Sequence, residues 1–108
     1  MSARYETVFI LTPVLSEDQA KEAAKKFRKI LTDCGAKILH EESWGKRGEQ
    51  PARLLNEEHQ QLIRKSTGYY QLIEFESTGN AVAELELAFK RDERVLRFMT
   101  VRLDKHGS

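Results

Sequence analysis

Four stretches of the chain have the residue pattern of β-strands. They cover residues 4–11, 36–44, 69–76 and 95–103. The first is rich in β-branched and aromatic residues and stops at Thr12-Pro13, where a proline would remove a donor from the sheet ladder. The second is weaker because it is largely polar on one face. We therefore predict four strands, three strong and one weak.

Two further stretches place apolar residues at helical spacing. Ser16 and Gln19 fit a capping box, and Gly35 stands where a left-handed helix end belongs. A second helix is predicted from Asn80, as its cap, through Phe89. The apolar residues of the first helix follow one stripe, at Ala20, Ala23, Ala24, Phe27, Ile30, Leu31 and Cys34.

The resulting order is β-α-β-β-α-β, an α+β arrangement. It closes most simply as a four-stranded antiparallel sheet, and right-handed crossovers put both helices on one face. We expect the other face to stay open. The polar stretch between Gly45 and Gly68 favours helix over strand, so a short extra helix is predicted over residues 57–65 after Asn56.

Composition limits the class of protein. The chain has 108 residues, 40% of them hydrophobic and 32% charged, with a formal net charge of +1. These values suit one folded domain over residues 1–108 and argue against a disordered chain. No apolar run approaches the ~20 residues that span a bilayer, and no secretory segment is seen at the start. With Cys34 as the only cysteine, we expect a reduced, cytoplasmic protein with no membrane contact.

Several segments, in order, resemble the bacterial small-subunit ribosomal protein six family. The resemblance covers residues 4–47 and 65–105 and is carried by Tyr5-Glu6-Thr7-Val8-Phe9-Ile10-Leu11-Thr12-Pro13, Glu42-Ser43-Trp44-Gly45-Lys46-Arg47, the run 66–75 and the run 91–98. It implies a ferredoxin-like fold. It also implies a non-enzymatic role on the ribosome, namely binding of small-subunit ribosomal RNA alongside ribosomal protein eighteen.

Residues 48–64 depart from the family pattern. The family usually continues after Gly45-Lys46-Arg47 with a Leu-Ala-Tyr-Pro-Ile segment, which a longer Glu/Gln-rich stretch replaces here. We interpret residues 48–64 as an engineered graft or as a divergent natural loop. The alternative function is a scaffold in which this segment mediates protein–protein interaction or self-association. The apolar residues that such a surface needs are Leu54, Leu55, Leu62 and Ile63.

Arginines are the candidate RNA-binding residues. The planar guanidinium donates two parallel hydrogen bonds to one phosphate. Together with the family resemblance, this favours RNA contact by Arg4, Arg91, Arg94 and Arg97 over the alternative of a solvated surface. In strand 95–103 the alternation groups Arg97 with Val95 and Met99 on one face. A comparison with the RNA-recognition motif fails, because Gln71 occupies a position where that motif has a stacking aromatic.

Catalytic interpretations have little support. The three histidines lie in separate segments without the spacing of a zinc site. Glu41 and Glu42 are strand neighbours and point to opposite faces. Cys34 ends an apolar stripe and is most simply a small core residue. We expect no enzyme, no metal and no cofactor. A basic ridge on the first helix, Lys21, Lys25 and Lys29, stays unassigned.

Overall fold

The computed structural model describes residues 2–45 and 67–103. Within these ranges it has the predicted β-α-β-β-α-β order. The elements are β1 (Ala3–Leu11), α1 (Glu17–Asp33), β2 (Lys37–Ser43), β3 (Tyr69–Ser77), α2 (Gly79–Arg91) and β4 (Val95–Arg102). The predicted short helix over 57–65 and the atypical segment 48–64 lie outside the described residues.

The sheet has the strand order β2-β3-β1-β4, with every neighbouring pair antiparallel. β1 is central. It runs opposite β3 without interruption from Ala3↔Ser77 to Leu11↔Tyr69. β2 and β4 are the edge strands of the sheet as described. The predicted four-stranded antiparallel sheet is confirmed.

The start of α1 agrees with its sequence signals, whereas the start of α2 does not. The Ser16 hydroxyl accepts a hydrogen bond from the backbone N–H of Gln19. The side-chain oxygen of Gln19 accepts one from the backbone N–H of Ser16, which completes the capping box. Gly35 has the left-handed φ of 87°. The prediction of Asn80 as the cap of α2 is wrong. Thr78 holds the cap position with an extended backbone and without a side-chain hydrogen bond. The helix begins at Gly79, so Asn80 lies inside its first turn.

The main core lies between the sheet and both helices. Phe9 of β1 contacts Phe27 of α1 and Phe89 of α2, with ring centroids 5.3 and 4.9 Å apart, and Phe98 of β4 contacts Phe89 at 5.0 Å. Helices that share one aromatic cluster on one sheet must lie on the same side of it. This confirms the predicted placement of the two helices.

The opposite sheet face is buried at its centre, so the expectation of an open face is wrong there. Val8, Ile10, Tyr70 and Leu72 are buried, and Trp44 packs against them. The reason is visible in β1, where the run Val8-Phe9-Ile10-Leu11 is apolar on both sides of the strand. A strand with a continuous apolar run has two faces to bury.

A bulge in β4 changes which residues share a face. Ile10 is opposite Arg97 but Leu11 is opposite Val95, so Leu96 is an extra residue. Val95 therefore packs with the helix-side core, whereas Arg97 and Met99 lie on the other face. The prediction that Val95 shares a face with Arg97 is wrong, because a bulge interrupts the two-residue alternation.

Candidate nucleic-acid interface

Three of the four candidate arginines lie at one end of the sheet. Arg91 ends α2, Arg94 is in the turn that follows, and Arg97 is near the start of β4. The turn packs against the end of β1, since the Thr12 amide donates to the Arg94 carbonyl at 2.8 Å. Arg4 lies six positions before Ile10, the partner of Arg97, which is roughly 20 Å along a strand. The structure thus brings three of the arginines to one end and leaves Arg4 at the other.

Arg94 is held by a carboxylate within its own turn. Its Nε donates to Asp92 Oδ1 at 2.9 Å and its Nη2 to Asp92 Oδ2 at 2.7 Å. The Asp92 side chain is only 6% exposed. The hydrogen bond from the Arg94 side chain lowers the pKa of Asp92 well below its usual value, although burial opposes the shift. The same hydrogen bond raises the pKa of Arg94. Arg94 therefore fixes the shape of the turn between its two neighbouring arginines.

Lys26 supplies a second cation to Asp92, which sequence analysis did not find. Its Nζ lies 3.1 Å from Asp92 Oδ2 and ties α1 to the α2–β4 turn. Lys26 and Asp92 are 66 residues apart in the chain. A contact between residues so distant in sequence leaves no periodic or motif signal.

Arg4, Arg91 and Arg97 are all exposed. Arg91 lies in the last turn of α2 with Lys90. Arg97 projects from the sheet face that points away from the helices, as its position opposite Ile10 requires. Arg4 lies on that same face and donates to Glu74 at 2.8 Å. Arg91 and Arg97 thus lie on two sides of one end of the sheet.

Polar side chains of β2 contact Trp44, which packs with Tyr70 on the sheet face opposite the helices. The Trp44 indole N–H donates to Glu42 Oε1 at 2.7 Å, and His40 Nε2 lies 2.7 Å from Glu42 Oε2. Trp44 and Tyr70 meet edge to face with centroids 6.4 Å apart. Burial raises the pKa of Tyr70. Trp44 and Tyr70 are packing residues here.

The remaining sequence candidates for chemistry are dispersed. Glu41 is opposite Ile73 and Glu42 is opposite Leu72, so the two carboxylates point to opposite faces as predicted. Cys34 is half-buried against the main core. Within residues 2–45 and 67–103 no group of three or more His, Cys, Asp or Glu side chains is placed to hold a metal ion. Among the described helices none is both long and apolar enough to cross a membrane.

The candidate partner-binding residues Leu54, Leu55, Leu62 and Ile63 lie outside the described residues. Their proposed contacts stay a prediction.

Comparison with protein families gives a match over most of the chain. The model of the family described as "Ribosomal protein S6" matches residues 4–102. Among curated proteins, the small ribosomal subunit protein bS6 of Phocaeicola vulgatus is 50% identical over 105 residues, which are 97% of this chain and 84% of that protein. The protein of the same name from Porphyromonas gingivalis is 50% identical over 104 residues, 96% of this chain and 81% of the relative.

Solved structures agree on the fold. The 30S ribosomal protein S6 of Thermotoga maritima superimposes with a TM-score of 0.74 at 23% identity, covering 95% of this chain and 89% of that one. The P2 domain of the chemotaxis kinase CheA, also from Thermotoga maritima, reaches a TM-score of 0.53 at 8% identity, with 95% of this chain and all of that one covered. At such identities the likeness concerns the fold alone.

The matched span bears on the atypical segment. The alignment with the Phocaeicola vulgatus protein covers 97% of this chain, so its ends lie on either side of residues 48–64. The interpretation of this segment as a graft or as a divergent natural loop stays a hypothesis.

Proposed function

Because the chain belongs to the ribosomal protein S6 family, we propose that it binds small-subunit ribosomal RNA through the arginines around its α2–β4 turn. Membership in this family makes the chain a protein of the small ribosomal subunit in the cytoplasmic ribosome. It also confirms the prediction that the chain is not an enzyme.

One observation carries the RNA proposal. Arg91 and Arg97 flank a turn that Arg94 and Asp92 hold in a fixed shape. A bidentate arginine clamp inside the turn reduces the freedom of the two exposed arginines on either side, so less entropy is lost when they bind phosphate. In this proposal Arg91 and Arg97 contact the RNA backbone, and Arg94 acts chiefly by positioning them. Arg4, at the far end of the sheet, is proposed as a separate contact.

The test is the salt dependence of RNA binding. A variant with Arg91→Ala and Arg97→Ala should bind a small-subunit RNA fragment more weakly. The slope of log K against log salt should also fall, because each lost phosphate contact lowers it by roughly one. Arg102→Ala is the matched control, an exposed arginine at the other end of β4 on the helix-side face. The proposal would be contradicted if the salt dependence of RNA binding were unchanged in the double variant, or if the control lost as much RNA affinity as the double variant.

A second part of the proposal concerns ribosomal protein eighteen, which the family resemblance implies as a partner. Capture of purified protein eighteen by the whole chain tests this partner. As the alternative function, residues 48–64, with Leu54, Leu55, Leu62 and Ile63, are proposed to mediate protein–protein interaction or self-association. Replacing 48–64 with a short turn should leave RNA binding in place and abolish that interaction. Loss of self-association alone, seen by size-exclusion chromatography, would support the scaffold alternative.

A further inference from the structure

The Asp92 carboxylate is the point where α1 and the α2–β4 turn meet. Its Oδ1 accepts hydrogen bonds from the backbone N–H and from Nε of Arg94, both at 2.9 Å, and its Oδ2 accepts one from Arg94 Nη2 at 2.7 Å. The same Oδ2 accepts one from Lys26 Nζ at 3.1 Å. A carboxylate has about four lone-pair sites, so these donors fill it. Three of them come from the turn itself, and Lys26 brings the fourth from α1.

The contact of Lys26 with Asp92 joins an exposed side chain to a nearly buried one. Half of the Lys26 side chain is exposed, whereas the Asp92 side chain is only 6% exposed. Lys26 Nζ also lies 5.5 Å from the centre of the Phe27 ring, and this ring contacts Phe89 of α2. An ion pair with a partly buried partner is screened less by solvent and salt than one between exposed side chains. The contact therefore holds the turn against α1 more firmly than a surface pair would.

The α2–β4 turn joins the two arginines that are proposed to contact RNA. Arg91 ends α2 before the turn, and Arg97 lies near the start of β4 after it. The backbone of the turn is bound to the end of β1, since the Thr12 amide donates to the Arg94 carbonyl at 2.8 Å. Lys26 adds the contact with α1. The placement of the two arginines relative to each other thus depends on a turn that is held from two directions.

We propose that Lys26 is a positioning residue for RNA binding, which keeps Arg91 and Arg97 in the arrangement that binds phosphate without itself contacting RNA. This inference rests on the proposed function. Binding groups that are already in place lose less entropy when they bind. Loosening the turn should therefore weaken RNA binding although no phosphate contact is lost. A direct phosphate contact by Lys26 is the competing role, and the two roles predict different salt dependences.

The test compares two lysine variants of α1. Lys26→Met removes the charge and keeps a side chain of similar length. Lys29→Met is the matched control, because Lys29 lies about one turn further along α1 and also binds a carboxylate at 3.1 Å, that of Asp33 in the same helix. Both variants lose one positive charge and one ion pair, but only Lys26→Met disconnects the turn from α1. Circular dichroism would verify that both variants fold.

The affinity for a small-subunit RNA fragment is measured over a range of salt concentrations. Lys26→Met should lower it by about fivefold, whereas Lys29→Met should stay within about twofold of wild type. The slope of log K against log salt should be that of wild type in both variants, because the number of neutralised phosphates is unchanged. Lys26→Arg should keep most of the wild-type affinity, since a guanidinium can bind the same carboxylate. A slope that falls by roughly one in Lys26→Met would show a direct phosphate contact and would overturn the inference.

Combination with Arg91→Ala and Arg97→Ala separates positioning from a general effect on the fold. When both arginines are removed, Lys26 has no phosphate-binding group to position. Adding Lys26→Met to this double variant should therefore leave the remaining RNA affinity, measured at low salt, unchanged. A merely structural role would lower the affinity about fivefold in this background as well, and that result would overturn the inference.

Hydrogen exchange in the free protein provides a measurement that does not involve RNA. The amides of Thr12 and Arg94 should exchange faster in Lys26→Met than in wild type or Lys29→Met, because the turn opens more often. Equal exchange rates in the three proteins, or equal RNA affinities of the two lysine variants, would overturn the inference while the effect of the arginine double variant remains. Unchanged salt dependence in that double variant would contradict the proposed function and the inference with it, so the two failures are distinguishable.

Discussion

Arg94 binds Asp92 through two parallel hydrogen bonds of 2.9 and 2.7 Å inside the α2–β4 turn. The Arg94 amide donates to the same carboxylate at 2.9 Å, and Lys26 reaches it from α1. One carboxylate thus joins both helices and β4 at the end of the sheet where the proposed RNA contacts lie. Its loss should affect stability as well as the arrangement of the arginines.

Asp92→Asn should destabilise the protein by about 1–3 kcal/mol at neutral pH, the usual range for hydrogen bonds to charged groups. The pKa of Asp92 is lowered in the folded state. The stability that ionised Asp92 contributes is therefore fully present above the unfolded pKa of about 3.9. It is lost as the pH falls below that value towards the folded pKa. Urea denaturation between pH 7 and pH 2 should show that the difference in unfolding free energy between wild type and variant becomes smaller in the acid range.

Asp33→Asn is the control for this prediction. Asp33 binds Lys29 at 3.1 Å, but both side chains are more than 60% exposed, and pairs of this kind contribute little. The control should stay within about 0.5 kcal/mol of wild type. If Asp92→Asn lowered the unfolding free energy by the same amount at every pH, its effect could not be assigned to the ion pair.

Gly68→Ala should destabilise the sheet. A Cβ at Gly68 would overlap the Leu11 carbonyl oxygen and lie 2.9 Å from Ile10 Cγ2. Because the Leu11 carbonyl belongs to the central strand, it cannot move without disturbing the ladder. We expect a loss of about 1–3 kcal/mol or more, as in overpacked cores, measured by thermal or urea unfolding.

The matched substitution is Gly79→Ala at the first residue of α2. Nothing lies within 4 Å of a Cβ there. Removing a glycine from the unfolded chain should leave stability unchanged or raise it by up to about 1 kcal/mol. Equal destabilisation by the two substitutions would mean that close approach to β1 is not the reason for Gly68.

Ser16→Ala should cost about 0.5–2 kcal/mol, the usual effect of removing a helix cap. The Ser16 hydroxyl accepts from the Gln19 amide at 3.1 Å, and the reciprocal bond from the Ser16 amide to the Gln19 side chain measures 2.8 Å. Thr78→Ala provides the comparison, because Thr78 occupies the cap of α2 without a side-chain cap hydrogen bond. Unfolding curves should therefore show Ser16→Ala to be less stable than Thr78→Ala. A lower stability of Thr78→Ala would contradict the capping assignment.

Local signals in the sequence predicted the elements well. The capping box of Ser16 and Gln19 and the left-handed Gly35 mark the ends of α1 correctly, because each depends on residues within one helical turn. The four strands were also predicted within two residues of their observed ends. The cap of α2 lies two residues before the predicted Asn80, because Thr78 holds this position without the side-chain hydrogen bond that marks a cap.

The candidate site was only partly predictable. Arg91, Arg94 and Arg97 are close in sequence, so their approach around one turn follows from the helix–turn–strand order. The engagement of Arg94 by Asp92 could have been suspected from their spacing of two residues. The contact of Lys26 with Asp92 could not, because it joins elements that are 66 residues apart.

One further feature was decided by the tertiary structure alone. The bulge at Leu96 moves Val95 to the helix-side core, whereas the burial of the second sheet face around Val8 already has its signal in the apolar run of β1. The sequence by itself determined the order of helices and strands and the family, because periodicity, caps and matched segments are encoded along the chain. Strand register, bulges and long-range ion pairs depend on how those elements pack in space, and no residue specifies them without its distant partners.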